Sequence, residues 1–113
     1  MRIPNADRAV IDPRKLHGYL LSPSHQVGRF KATFFRTLGY APDDWGRLEA
    51  DLRSQHLTKE ATVGERTSHG QKYVIRATLV GPLGRSVDVL TVWFIRRDEE
   101  VPRFVTAYPE GGE

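Results

Sequence analysis

Ser86-Val87-Asp88-Val89-Leu90-Thr91-Val92-Trp93-Phe94-Ile95 is the stretch that decides the fold. It is dense in β-branched and aromatic residues, and both alternating sets are apolar. A strand of that kind is central and covered on both sides. Gly81-Pro82-Leu83-Gly84 just before it reads as a hairpin turn, and Lys72 to Val80 alternates as its partner strand. After it, Arg96 to Pro102 reads as a charged loop. Phe104 to Tyr108 reads as a last strand, stopped by Pro109.

Upstream the spacing changes from two to three and four. Asp12-Pro13 is a helix start, with Leu16 and Leu20 on one face and Tyr19 beside them. Pro23 ends that helix, and Ser22 to Gly28 is a loop. A second helix runs from about Arg29 to Leu38, with Phe30, Phe34 and Leu38 as its buried stripe. Pro42-Asp43-Asp44 opens a third, whose apolar face is Trp45, Leu48 and Leu52 and which ends near Gln55-His56. Residues 57–70 read as a connecting loop, and Ile3 to Ile11 as irregular chain or a short edge strand. The expected class is α+β: about three N-terminal helices packed on one face of a C-terminal antiparallel β-meander of three to four strands. The 113 residues form one expected domain, 1–113.

Composition narrows the chemistry. The absence of cysteine excludes a disulfide scaffold, thiolate metal sites and a thiol nucleophile. No apolar run approaches the roughly 20 residues of a membrane span, and the first residues lack the apolar stretch of a secretion signal. The expected place of action is cytoplasmic, with no membrane partner. No two histidines fall at metal-ligand spacing, and no glycine-rich phosphate loop opens a helix. Neither a metal nor a cofactor is expected.

The net charge is only +3, but it is unevenly placed. Between Pro13 and Pro42 there is no Asp or Glu, while Arg14, Lys15, Arg29, Lys31 and Arg36 stand there with His17 and His25. Such a segment attracts phosphates or an acidic partner; the plain alternative is a solvated basic surface.

Strand pairing assigns faces. A two-residue turn at Pro82 and Leu83 sets Val89 against Arg76, Thr91 against Val74 and Trp93 against Lys72. Closing the next loop at Arg97 and Pro102 sets Thr106 against Trp93 and Tyr108 against Thr91. One face then collects Lys72, Arg76, Thr91, Trp93, Thr106 and Tyr108; the other collects Tyr73, Ile75, Leu79, Leu90, Val92, Phe94, Val105 and Ala107. A one-residue slip would flip a strand. The first face suits RNA, since aromatics stack bases and cations hold phosphates. The alternative places Thr91 and Trp93 under a flap made by the N-terminus or the 57–70 loop, since a lone Trp on a central strand is more often core than a base platform.

The segments Ile3-Pro4-Asn5-Ala6-Asp7-Arg8-Ala9-Val10-Ile11, Gly28-Arg29-Phe30-Lys31-Ala32, Leu38-Gly39-Tyr40, Gly81-Pro82-Leu83-Gly84-Arg85, Thr91-Val92-Trp93 and Pro102-Arg103-Phe104-Val105-Thr106-Ala107-Tyr108-Pro109 resemble those of an uncharacterised bacterial domain family. Its members occur alone, beside a small β-rich partner protein, or at the C-terminal ends of large toxin-type proteins. The order of helices then meander is also similar to small ribonuclease toxins of the barnase–EndoU–colicin–RelE class, a likeness of fold alone.

That resemblance implies metal-independent RNA cleavage by 2′-OH attack, held in check by a small antitoxin or immunity-type protein. The chemistry needs a base, an acid and cations around the phosphorane. His25 or Tyr108 is assigned to proton transfer. Lys31, Arg85 and Arg103 would hold the scissile phosphate, Thr91 and Thr106 would hydrogen-bond it, and Trp93 would stack a base. Arg29, Lys72 and Arg76 complete the RNA-binding set. Each has a bland alternative: a surface loop histidine for His25, a turn-end charge for Arg85, an ion pair with Asp98-Glu99-Glu100 for Arg103, and the solvated side of a helix for Lys31. His17, His56 and His69 are expected to be exposed. The competing function is a non-enzymatic basic module that binds RNA or protein.

Overall fold

The first helix starts where Asp12 meets Pro13. The structure, a computed structural model, describes residues 1–26 and 28–110, the Phe30 side chain excepted. Asp12 Oδ1 accepts the Arg14 backbone N–H at 3.0 Å, and Pro13 fills the first helical position, where a missing N–H costs nothing. Helix α1 (Pro13–Lys15) widens at once into a π-helical turn, Leu16–Leu20, closed by the Leu21 N–H on the Leu16 carbonyl at 2.8 Å. Leu16 and Leu20 are buried, and Tyr19 is half-buried.

Helix α2 (Arg29–Thr37) follows the loop. Its buried residues are Ala32 and Phe35, continued by Leu38, while Phe34 is only half-buried. The stripe is therefore centred one position away from the expected Phe34; the side chain of Phe30, also expected there, lies outside the described residues. A 3₁₀ turn at Pro42–Asp44 leads into α3 (Trp45–Gln55), which buries Leu48 and Leu52 as its spacing predicts.

Strands β1 (Thr62–Thr67), β2 (Gly70–Val80), β3 (Ser86–Arg96) and β4 (Arg103–Pro109) form one antiparallel sheet in the order β1-β2-β3-β4. The α+β layout is thus as expected, with four strands. Part of the expected 57–70 loop is strand β1. The N-terminal segment makes a 3₁₀ turn at Ala6–Arg8, and Val10 then bridges to Arg103, covering part of the β4 edge. Among the described residues no helix is long and apolar enough to cross a membrane.

The pairing differs from expectation by one residue in the first hairpin, and in the second by one residue at Val92 and by two at Trp93. Val80 pairs with Ser86, and the Gly81 N–H donates to the Arg85 carbonyl at 2.9 Å. The loop is therefore Pro82-Leu83-Gly84, three residues, closed by Gly84 in the left-handed region at φ +81°. That is the usual build of a three-residue hairpin, and it requires the glycine. Thr91 then pairs with Ile75, and Trp93 with Tyr73. On the other side Val92 pairs with Thr106 but Trp93 pairs with Phe104, so Val105 is a bulge.

The two slips compensate. Lys72, Arg76, Thr106 and Tyr108 stay on one face, whereas β3 turns over. Thr91 and Trp93 belong to the core face and are fully buried, while Leu90, Val92 and Phe94 take the outer face. The expected set of six is corrected accordingly. The core joins Trp93, Ile75, Leu79, Phe35, Leu48 and Leu52 beneath the helices.

Two polar pairs lie inside this core, Tyr40 with Asp51 and His56 with Thr91. Tyr40 donates to the buried Asp51 carboxylate, which also accepts from Arg47 Nε. Burial, reinforced by the Asp51 carboxylate, pushes the Tyr40 phenol well above its ordinary value. Tyr40→Phe leaves a buried carboxylate short of a donor. Urea unfolding is expected to show a loss of about 1–3 kcal/mol, and an unchanged midpoint would dismiss the latch. His56, expected at the surface, is completely buried, its Nδ1 3.0 Å from Thr91 Oγ1.

Candidate functional site

The loop between the π-helical turn and α2 is held by its own polar groups. His25 donates its backbone N–H to Ser22 Oγ at 3.2 Å, and its Nδ1 accepts the Gly28 N–H at 2.9 Å. A neutral His25 ring bonded in this way carries its proton on Nε2. The ring stands edge-on to Tyr19, centroids 5.1 Å apart.

Gly28 is buried against the backbone of Tyr19: a Cβ there would fall 2.1 Å from the Tyr19 carbonyl oxygen. Only glycine lets α2 start so close to the π-helical turn. Gly28→Ala is expected to push these segments apart at a cost of about 1–3 kcal/mol. A melting temperature equal to wild type would contradict that contact.

The approach brings Lys31, on the first turn of α2, to Tyr19 and to β4. Lys31 Nζ donates to the Tyr19 hydroxyl at 2.6 Å and to Thr106 Oγ1 at 2.8 Å, and the two hydroxyls are 3.3 Å apart. The same ammonium lies 5.0 Å from the Tyr19 ring centroid and 5.5 Å from that of Tyr108. Burial pushes the Tyr19 phenol up, but the bonds from Lys31 and Thr106 and the charges of Lys31 and Lys15 outweigh it. The phenol titrates below its ordinary value.

Tyr19, His25, Lys31 and Thr106 line a cleft of about 740 Å³ whose other wall is Asp12, Arg14 and Lys15. Arg14 is bonded to Asp12 and holds that carboxyl at about 2, so the pair is ionised together. Lys15 Nζ reaches the carbonyl of the bulge residue Val105 at 3.4 Å. An ammonium, an acidified phenol, a hydroxyl and an imidazole that can present an N–H thus share one concave surface. Side chains of these types are chemically able to act as a base, an acid and an anion stabiliser. Among the described residues no three His, Asp or Glu stand close enough together to hold a metal ion.

Of the residues expected from sequence, His25, Lys31, Thr106 and Tyr108 come together here. Arg29 is exposed at the start of α2. Arg85 lies elsewhere: its Nη1 donates to the Thr37 carbonyl at 3.4 Å, about 9 Å along α2 from Lys31 at 1.5 Å per residue. Arg103 is engaged by Glu99 through two bonds of 2.9 Å, the ion pair that was its alternative. Lys72 and Arg76 lie on the outer sheet face, where Arg76 pairs with Glu110 at 3.1 Å. Thr91 accepts from Trp93 Nε1 at 2.8 Å deep in the core, and neither residue can touch a base or a phosphate there.

Tyr19 is the residue that sequence reasoning missed. Its place beside Leu16 and Leu20 marked it as part of an apolar face. The missed signal was a tyrosine hydroxyl in an acid-free, lysine-bearing segment.

The family described as "Domain of unknown function (DUF6883)" matches residues 2–111. The chain belongs to that family. No curated protein matches it. Among solved structures it is similar to a chain of the contact-dependent growth inhibition toxin–immunity protein complex from Klebsiella pneumoniae 342. The identity is 20%, with a TM-score of 0.66, and the match covers 89% of this chain and 99% of that one. At that identity the likeness is one of fold. The family member described here therefore shares its arrangement of helices and sheet with a component of such a complex.

Proposed function

We propose that the protein is a toxin-type ribonuclease that cleaves RNA without a metal, acts in the cytoplasm and is neutralised by a small immunity-type protein. The observation that carries the reading is the Lys31–Tyr19–Thr106 cluster beside His25, in a basic cleft wide enough for a nucleotide. Support for a neutralising partner comes from the fold shared with a chain of a toxin–immunity complex, and from the likeness to domains at the ends of toxin-type proteins.

In this reading the Tyr19 phenolate takes the proton of a ribose 2′-OH. The 2′-oxygen attacks the adjacent phosphorus, and the bond to the 5′-oxygen breaks. His25, or Tyr108, whose ring centroid is 5.5 Å from Lys31 Nζ, returns a proton to that leaving oxygen. The products are a 2′,3′-cyclic phosphate and a 5′-hydroxyl end. The Lys31 ammonium and the Thr106 hydroxyl hold the non-bridging oxygens as charge builds on them.

The experiment is incubation of purified protein with total RNA in EDTA, with the new ends identified, alongside growth of bacteria expressing it. Cleavage to cyclic-phosphate ends and arrested growth are expected. Intact RNA together with normal growth would leave the reading without support and favour a basic binding module.

A further inference from the structure

We propose that the candidate active-site cleft opens into a longer groove along the edge of β4 that binds a single-stranded RNA segment flanking the cleaved bond. The proposal rests on the ribonuclease reading for the cleft itself. Three concavities stand in series. The cleft shares Asp12, Lys15 and Val105 with a second hollow of about 400 Å³ that continues past Arg103 to Phe94 and Arg96. That hollow shares Phe94 and Arg96 with a third, of about 480 Å³, bounded by His69 and Arg97. From Val92, which pairs with Thr106, to Arg96 the groove runs about 14 Å at 3.4 Å per residue. That is room for a short run of nucleotides beyond the reacting one.

The composition suits that ligand. Lys15, Arg96, Arg97 and Arg103 stand along the path, and Phe94 offers a half-exposed ring between them. Spaced cations with an aromatic among them are what a single strand requires, since phosphates take the charges and a base takes the ring. A double helix has no base free to stack there.

The acids on the path are Asp12, Asp98 and Glu99. Asp12 is held by Arg14. Glu99 sits between two of the cations, bidentate to Arg103 and 3.8 Å from Arg96, and the Arg103 fork keeps its carboxyl below the ordinary range. Its carboxylate occupies the place a phosphate would take, so it competes with the ligand.

The test uses Tyr19→Phe protein, so that cleavage does not consume the probe, and fluorescence anisotropy with a labelled RNA dinucleotide and a labelled single strand of about ten nucleotides. The longer strand is expected to bind more tightly. Phe94→Ala should weaken it roughly 5- to 150-fold while leaving the dinucleotide unchanged. Arg96→Gln, at an exposed position, should weaken the longer strand and lower its salt dependence. Glu99→Gln should tighten it.

Equal binding of the two probes, or Phe94 and Arg96 variants that stay folded and bind the longer strand as tightly as their parent, would overturn the groove. Loss of an immunity-type protein's binding without loss of RNA binding would overturn it in favour of a protein interface. The ribonuclease reading is separately exposed. Wild type that leaves RNA intact, while Phe94 still governs binding of the longer strand, refutes cleavage and keeps the groove.

Discussion

Folding stability is expected to fall by about 2 kcal/mol between pH 7.5 and pH 5, and by about 3 kcal/mol by pH 4, because of one histidine. His56 is enclosed at the end of α3, its Nδ1 on Thr91, and its Nε2 completes no hydrogen bond. Burial holds its pKa down to about 4 from an ordinary 6.5; the nearby Ala77 carbonyl opposes this in part, and the Lys59 charge adds to it. The folded ring therefore stays neutral where the unfolded one takes a proton. As pH falls below 6.5 the unfolded state binds more protons, so stability drops with pH until the folded ring itself protonates near 4.

The window is specific. Carboxyls held low in the folded state, such as Asp12 at about 2 and Glu99, take effect only as their unfolded counterparts protonate, near pH 4 to 4.5. Urea unfolding at several pH values checks the effect. His56→Asn keeps a partner for Thr91 but cannot titrate. It is expected to be less stable at pH 7.5, yet nearly flat from there to pH 5. A wild-type curve as flat as the variant's would refute the buried neutral ring.

Much of this architecture was legible because it rests on local periodicity. The helix start at Asp12-Pro13, the Leu48–Leu52 face of α3 and the central position of β3 follow from spacing and capping alone. Register did not follow, since it depends on whether a turn closes with two residues or three, and on an invisible bulge at Val105. A strand apolar on both faces gives no internal sign of which face is buried. That is why Thr91 and Trp93 were placed with the cations, while Lys72, Arg76, Thr106 and Tyr108, displaced by two opposite errors, kept their common face. Strand β1 was hidden because the exposed edge Thr62–Thr67 alternates too weakly to stand out from a loop. The buried His56 was hidden because the side-chain hydroxyl it meets, that of Thr91, lies 35 residues away. In the candidate site His25, Lys31, Thr106 and Tyr108 were within reach as chemically apt residues. Tyr19 was not, since it gains its role from a π-helical turn and from the Gly28 contact.

Tyr19→Phe is expected to lower kcat/KM for RNA cleavage about a hundredfold to ten-thousandfold, the usual cost of losing a general base. The ring and its packing against His25 and Lys31 remain, so the melting temperature should change little. Lys31→Met should cost a comparable factor, by two routes that pH separates. It removes a cation from the phosphate. It also removes the charge and hydrogen bond that bring the Tyr19 phenol below its ordinary value, leaving burial to push it up. The wild-type rate should therefore climb with pH as the Tyr19 phenol ionises below its ordinary range, and turn down where the general acid loses its proton. For Lys31→Met the climb should shift to higher pH, so that part of the loss at pH 7 is regained at alkaline pH. Tyr19→Phe should show no such climb. The decisive comparison is Thr106→Val, which deletes a hydroxyl that Lys31 and Tyr19 share but leaves both in place. It should slow cleavage less than either and shift the pH profile only slightly. Full activity in folded Tyr19→Phe protein would remove Tyr19 from proton transfer and return that role to His25 or Tyr108.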